Sequence, residues 1–181
     1  RSWRKLMSPS AIRMGESETG TMTSAFLDSL DLRQTGWASG RPTWNTRAVL
    51  RYFSKKLGLT VKIPAEFGTD LASVPRAPIV WLATGGRGPR SSVLHDFPYQ
   101  FGFWIVDGAV GSQRLYVRKS EVDAVFYESL LADPISGAGP VRAWEMWAGV
   151  RLNVTGGVWG DQARRQRLNP VWHASGRPED P

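Results

Sequence analysis

Two β-rich runs set five residues apart constrain this chain more than anything else in it. Ala48-Val49-Leu50-Arg51-Tyr52-Phe53 and Leu59-Thr60-Val61-Lys62-Ile63 flank Ser54-Lys55-Lys56-Leu57-Gly58, the pattern of an antiparallel hairpin. In the second run Leu59, Val61 and Ile63 alternate with Thr60 and Lys62, so one face is expected to be buried and the other wet. Pro64 ends the strand, because it cannot donate to a ladder.

Three helices are expected downstream. Pro89 sits where a helix starts, carrying Ser91 to Phe97 until Pro98. Ser120 followed by Asp123 resembles a capping box, opening a helix to about Ala132 with Val122, Val125, Phe126, Ser129 and Leu130 inward, and Asp133-Pro134 stops it. Gly139-Pro140 opens the third, which places Val141, Trp144, Trp147 and Ala148 on one stripe, expected to be core, and ends near Asn153. The fold class is therefore α+β: a small antiparallel sheet or hairpin packed with about three helices, plus an extended N-terminal arm.

The arm spans 1–41 and is rich in Ser, Thr, Gly and Met, with one short helical candidate, Ser24 to Leu32, whose Phe26, Leu27 and Leu30 share a face. An arm of that kind packs along the domain or reaches a neighbouring subunit. A compact domain follows over 42–155 and a basic tail over 156–181. A chain of 181 residues fits one domain with a real core and needs no staples. It has no cysteine, which removes disulfides, thiolate metal sites and a Cys nucleophile. The longest apolar stretches, Ala77 to Ala83 and Phe101 to Val106, fall well short of the roughly 20 residues a membrane helix needs, so no membrane span is expected. The chain begins at Arg1 with no apolar run in its first segment, which fits a processed or trimmed product rather than a signal-bearing precursor.

With 23 basic against 16 acidic side chains the net charge is +7, which favours anionic partners. The cations lie in scattered groups, Arg1/Arg4/Lys5, Arg87/Arg90, Arg114/Arg118/Lys119 and Arg164/Arg165/Arg167, without a recognition helix or zinc-finger spacing. A solvated surface or a protein interface is the preferred reading of them, and non-specific contact with DNA a further one.

One segment, Ile63-Pro64-Ala65-Glu66-Phe67-Gly68-Thr69-Asp70-Leu71-Ala72-Ser73-Val74-Pro75-Arg76, is too irregular for helix or strand and too specific for a linker. Together with Val93-Leu94-His95-Asp96 and Arg118-Lys119-Ser120-Glu121-Val122-Asp123-Ala124-Val125-Phe126-Tyr127, in that order, it resembles the family catalogued as domain of unknown function 1353. That family is found in tailed phages, prophages and gene clusters of virion proteins. The likeness covers roughly Leu50 to Asn153. The sequence departs from the pattern at Leu71 and in an insertion-like stretch from Phe101 to Val117. The resemblance implies a phage setting and brings no established activity.

Asp70, His95, Asp96 and Asp123 are the residue types that bind a divalent metal and activate water. Against a metal site, only two histidines exist, His95 and His173, and the latter lies in the tail. His95 and Asp96 are adjacent, so on a helix they point about 100° apart. The His-Asp phosphohydrolase pattern fails for want of upstream histidines. A Ser73-His95-Asp70 triad lacks the nucleophile elbow, and Gly85-Gly86-Arg87-Gly88 lacks the ending of a phosphate loop. The structural alternative has Asp123 capping its own helix, Asp70 closing the turn after Thr69, Ser73 bracing the approach to Pro75, and His95 bonded to one of the carboxylates.

Two readings follow. The preferred one is a virion-associated structural protein of a tailed bacteriophage, a tail, neck or capsid component made in the host cytoplasm, with other virion proteins as partners in a homo- or hetero-oligomeric assembly and no cofactor. The alternative is a small metal-dependent hydrolase, acting on cell-wall material during infection. In it Asp70, His95 and Asp96 are the catalytic groups, Asp70, His95 and Asp123 hold a divalent metal, and Ser73 stands behind them.

Overall fold

The computed structural model describes residues 22–38, 41–71, 89–108, 111–133, 139–152, 159 and 162–169. Eight strands are described: β1 Ala25–Phe26, β2 Leu32–Ala38, β3 Arg41–Thr46, β4 Leu50–Ser54, β5 Leu59–Ile63, β6 Gly68–Thr69, β7 Phe103–Gly108 and β8 Gly111–Tyr116. Four helices accompany them: α1 Pro89–Phe101, α2 Lys119–Ala132, α3 Pro140–Arg151 and α4 Gln162–Leu168. The strands form a five-stranded sheet, order β1-β4-β5-β7-β8, and a three-stranded sheet, order β2-β3-β6, with every pairing antiparallel. The fold is α+β, as the sequence implies.

The hairpin forms as expected, with Leu50 opposite Ile63 and Tyr52 opposite Val61. Val61 and Ile63 are buried, and the intervening Lys62 is half-buried. Register carries this buried face across the sheet, since Val61 stands opposite Val106 in β7. On it α1 lays Val93, Leu94 and Phe97 and α2 lays Val122, Val125, Phe126 and Leu130, all within one buried core. Each such side chain contributes about 1.5–3 kcal/mol on leaving water.

Several local expectations are overturned. Residues 24–32 form no helix: Ala25 and Phe26 pair with Phe53 and Tyr52, and the backbone N–H and guanidinium of Arg51 grip Asp28. Phe101 to Val117, read as insertion-like, is largely the β7–β8 hairpin of the main sheet. Gly68 and Thr69, expected to be irregular, pair with Asn45 and Trp44 of β3. α1 does not stop at Pro98 but runs to Phe101. Proline has no N–H for the Leu94 carbonyl four residues back, and the Trp104 indole supplies the missing donor at 3.1 Å. Gly102, with φ at 79°, then turns the chain into β7.

α2 buries the inner side expected of it, but its N-cap is Arg118, whose backbone N–H donates to Glu121 at 2.8 Å. Asp123 does not cap the helix. α3 starts at Pro140 behind Gly139, and the stripe facing inward is Ala143, Met146 and Val150, while Val141 and Trp144 face out. Both stripes of α3 are apolar, and only contact with α2 distinguishes them. α4 lies inside the stretch read as a basic tail. Ser73 and the Gly85-Gly86-Arg87-Gly88 turn lie outside the described residues, as do residues 1–21 of the arm.

Candidate functional site

α1 is buried along its whole length from Arg90 to Gln100, which makes its polar side chains the centre of the molecule. Residues four apart share a helix face, so His95 and Tyr99 look one way and Asp96 and Gln100 another. Towards α2, His95 Nε2 lies 3.2 Å from Asp123 Oδ1, and Tyr99 donates to the same oxygen at 2.7 Å. Lys119, one turn before Asp123, donates to Oδ2 at 2.8 Å. The His95 ring packs against Tyr99 and Phe126, tilted to both, with centroids at 3.9 and 4.7 Å. Lys119 is the member that reaches water, 33% exposed, whereas His95 and Asp123 are sealed.

Burial pushes the Asp123 carboxyl up, but the hydrogen bonds from His95, Lys119 and Tyr99, with the field of His95, outweigh it and hold the group at about 2. Asp123 is therefore ionised, and a carboxylate only accepts, so His95 Nε2 carries the proton of their hydrogen bond. Burial, and then the neighbouring carboxylate, pushes the Tyr99 phenol up, which keeps it a donor.

On the other face of α1, Asp96 accepts from Thr69 Oγ1 at 2.5 Å, and Thr69 Oγ1 in turn accepts from the Leu71 N–H at 3.0 Å. The Thr69 hydroxyl so braces the turn into Leu71. Beside it Gln100, Gly68 and Asn169 form a clasp. The Gly68 N–H donates to Asn169 Oδ1 at 2.6 Å, and Asn169 Nδ2 donates back to the Gly68 carbonyl and to Gln100. Gly68 leaves no room for a side chain, since a Cβ there would stand 2.0 Å from the Leu168 carbonyl oxygen.

His95 and Asp96 thus serve two different partners, as their angular separation on a helix requires. Asp70 is half-buried directly after Thr69. Among the described residues no three of His, Asp and Glu stand together as a metal-holding group. Among the described residues Asp70, His95 and Asp123 do not form such a group. What the cluster does chemically is hold the buried Asp123 carboxylate among three donors and pin α1 to α2, β6 and α4. Tyr99, Lys119, Thr69, Gln100 and Asn169 were not singled out from the sequence. The i, i+4 spacings 95/99, 96/100 and 119/123 carried a signal for three of them, whereas nothing pointed to Asn169.

The second feature is a surface. Beyond Leu32 at its base, which packs against the core, the β2–β3 hairpin has its main packing within itself and on β6. Arg33, Gln34 and Thr35 are exposed, and Trp37 near the tip is 72% exposed. Arg33 reaches back to Glu66 at 3.2 Å, which fixes the hairpin's root.

A model of a protein family, described as protein of unknown function (DUF1353), matches residues 44–150. No curated protein and no solved structure matches the chain.

Proposed function

The chain belongs to the family of proteins of unknown function DUF1353, and we propose that it is an assembly protein that docks on a neighbouring protein subunit through the β2–β3 hairpin, as a structural component of a tailed-bacteriophage virion. The observation that carries this reading is the hairpin itself. A strand pair that packs chiefly on itself and β6, with a Trp exposed near its tip, leaves a large ring in water at a cost that a partner's surface removes. Trp and Arg are the residue types that interfaces concentrate. The virion setting, a tail, neck or capsid position reached after synthesis in the host cytoplasm, draws on the motif resemblance.

The reading is tested by purifying particles of the phage whose genome encodes the chain, with tagged wild type or Trp37→Ser supplied in the host. Wild type is expected in the particles. The variant is expected in the soluble fraction with an unchanged unfolding midpoint. Particles without the wild-type chain overturn the reading.

A second reading, a hydrolase acting on cell-wall material, draws on one observation, the ionised Asp123 that orients His95. That pair is enclosed, with His95 only 1% exposed, and both Asp123 oxygens already accept hydrogen bonds. Wall-degrading activity in the purified protein, lost in His95→Ala at retained fold, would bring this reading forward.

A further inference from the structure

A different surface carries an inference beyond docking. β8 is an edge of the five-stranded sheet, and side chains two apart on a strand point the same way. Arg114 and Tyr116 therefore share a face, and both are exposed, Tyr116 by 71%. Register sets Phe103 opposite Tyr116. Phe103 is buried and forms the floor: the Arg114 guanidinium lies 4.7 Å from its ring centroid, and the Tyr116 ring stands 5.7 Å away, edge-on. Phe101 continues the floor 6.1 Å from Phe103, and Arg165 of α4 lies over Phe101 at 5.7 Å. Arg165 also donates to the Gln100 carbonyl at 3.4 Å, while its Nε is buried without a partner among the described residues. Cations and rings therefore interleave along one strip: Arg165, Phe101, Phe103, Arg114, Tyr116. Arg118 follows Tyr116 two residues on.

The cations of this strip differ from several others on the described surface. Arg33, Arg47, Arg51 and Arg90 each meet a carboxylate. Arg114, Arg118 and Arg165 form no ion pair among the described residues. Unpaired guanidinium groups set beside an exposed ring match a ligand that repeats phosphate and base: the cations take the phosphates and the ring takes a base face. A duplex hides its base faces, so the ligand that uses Tyr116 is a single strand. The chain's net charge of +7 attracts such a polyanion from a distance.

We propose that the Arg165–Phe101–Phe103–Arg114–Tyr116 strip binds single-stranded nucleic acid, with little regard to sequence. The site is distinct from the β2–β3 hairpin, so it stands or falls apart from the docking role. The test is fluorescence anisotropy of a labelled oligothymidylate of about 20 nucleotides, longer than one module's site, titrated with the full chain at several salt concentrations. Tyr116→Ala is expected to weaken binding about tenfold or more, and Tyr116→Phe, which keeps the ring, to retain it. Arg114→Ala is expected to lower the slope of log affinity against log salt by about one. Both side chains are exposed, so unfolding midpoints identical to wild type confirm that the variants fold. Trp37→Ser is expected to bind as wild type. Binding untouched by Arg114→Ala and Tyr116→Ala, or no binding at low salt, overturns the proposal. An acidic peptide of equal charge that binds as tightly as the oligonucleotide also overturns it, and assigns the strip to a protein partner.

Discussion

Asp123→Asn keeps the volume of the side chain and removes its charge, which makes it the sharpest probe of the central cluster. In the native protein the carboxyl is held at about 2 against an ordinary 3.8. At 1.36 kcal/mol for each pH unit, the ionised form contributes about 2 kcal/mol to stability. Because the folded value is the depressed one, that contribution is complete above the unfolded value and is lost as pH falls through about 2. The amide also turns a donor towards Lys119 Nζ and leaves one acceptor for His95 and Tyr99. Two opposed donors in a sealed site raise the cost at neutral pH to about 3 kcal/mol. Urea unfolding followed by tryptophan fluorescence measures both quantities. The gap between wild type and Asp123→Asn should be about 3 kcal/mol at neutral pH and should shrink by about 2 kcal/mol between pH 5 and pH 2. A gap that stays constant over that range would mean that Asp123 carries no specially stabilised charge, and the account of the cluster would fail.

Three further outcomes are expected. Gly68→Ala forces a methyl against the Leu168 carbonyl, so α4 must lift away and the Asn169 bonds break; a loss of about 2–4 kcal/mol in unfolding free energy and faster amide exchange at Gln162–Leu168 would show it. Trp104→Phe strands the Leu94 carbonyl and should cost about 1–3 kcal/mol, less in a Pro98→Ala background, where a backbone N–H returns; a double-mutant cycle reads the difference. Glu128→Ala removes the acceptor shared by Ser24, Ser54 and the Lys56 N–H and should cost about 2 kcal/mol, with proteolysis appearing first near Ser24.

The legible parts of this molecule are those whose signal is local. Leu59, Val61 and Ile63 against Thr60 and Lys62 gave the hairpin, because a period of two has one meaning next to a short turn. Val122, Val125, Phe126 and Leu130 gave the inner side of α2 for the same reason at a period of 3.6. Pro98 misled, because a proline's effect on a helix depends on whether a distant donor takes the orphaned carbonyl, and Trp104 is known to do so only once β7 is folded back. Ala25 and Phe26 misled because a two-residue strand has no pattern of its own and is held by Asp28, Arg51 and Glu128. α3 carries two apolar stripes, and the choice between them belongs to α2. In the central cluster the sequence pointed to His95, Asp96 and Asp123 by residue type, and the separation of His95 from Asp96 followed from helix geometry. Their real partners, Thr69, Tyr99 and Lys119, are ordinary residues made important by where the chain brings them.

The clasp on Gly68 bears on the order in which the protein is made. Its partner, Asn169, comes 101 residues later. At a synthesis rate of about 5–20 residues per second, the ribosome takes roughly 5–20 s to deliver it. Through that interval β6 has emerged with its backbone donor unmet, and the main hairpin must hold without α4. The nascent chain therefore passes through a stage in which β6 is made and its clasp is missing, and it reaches the native arrangement only after Asn169 has emerged.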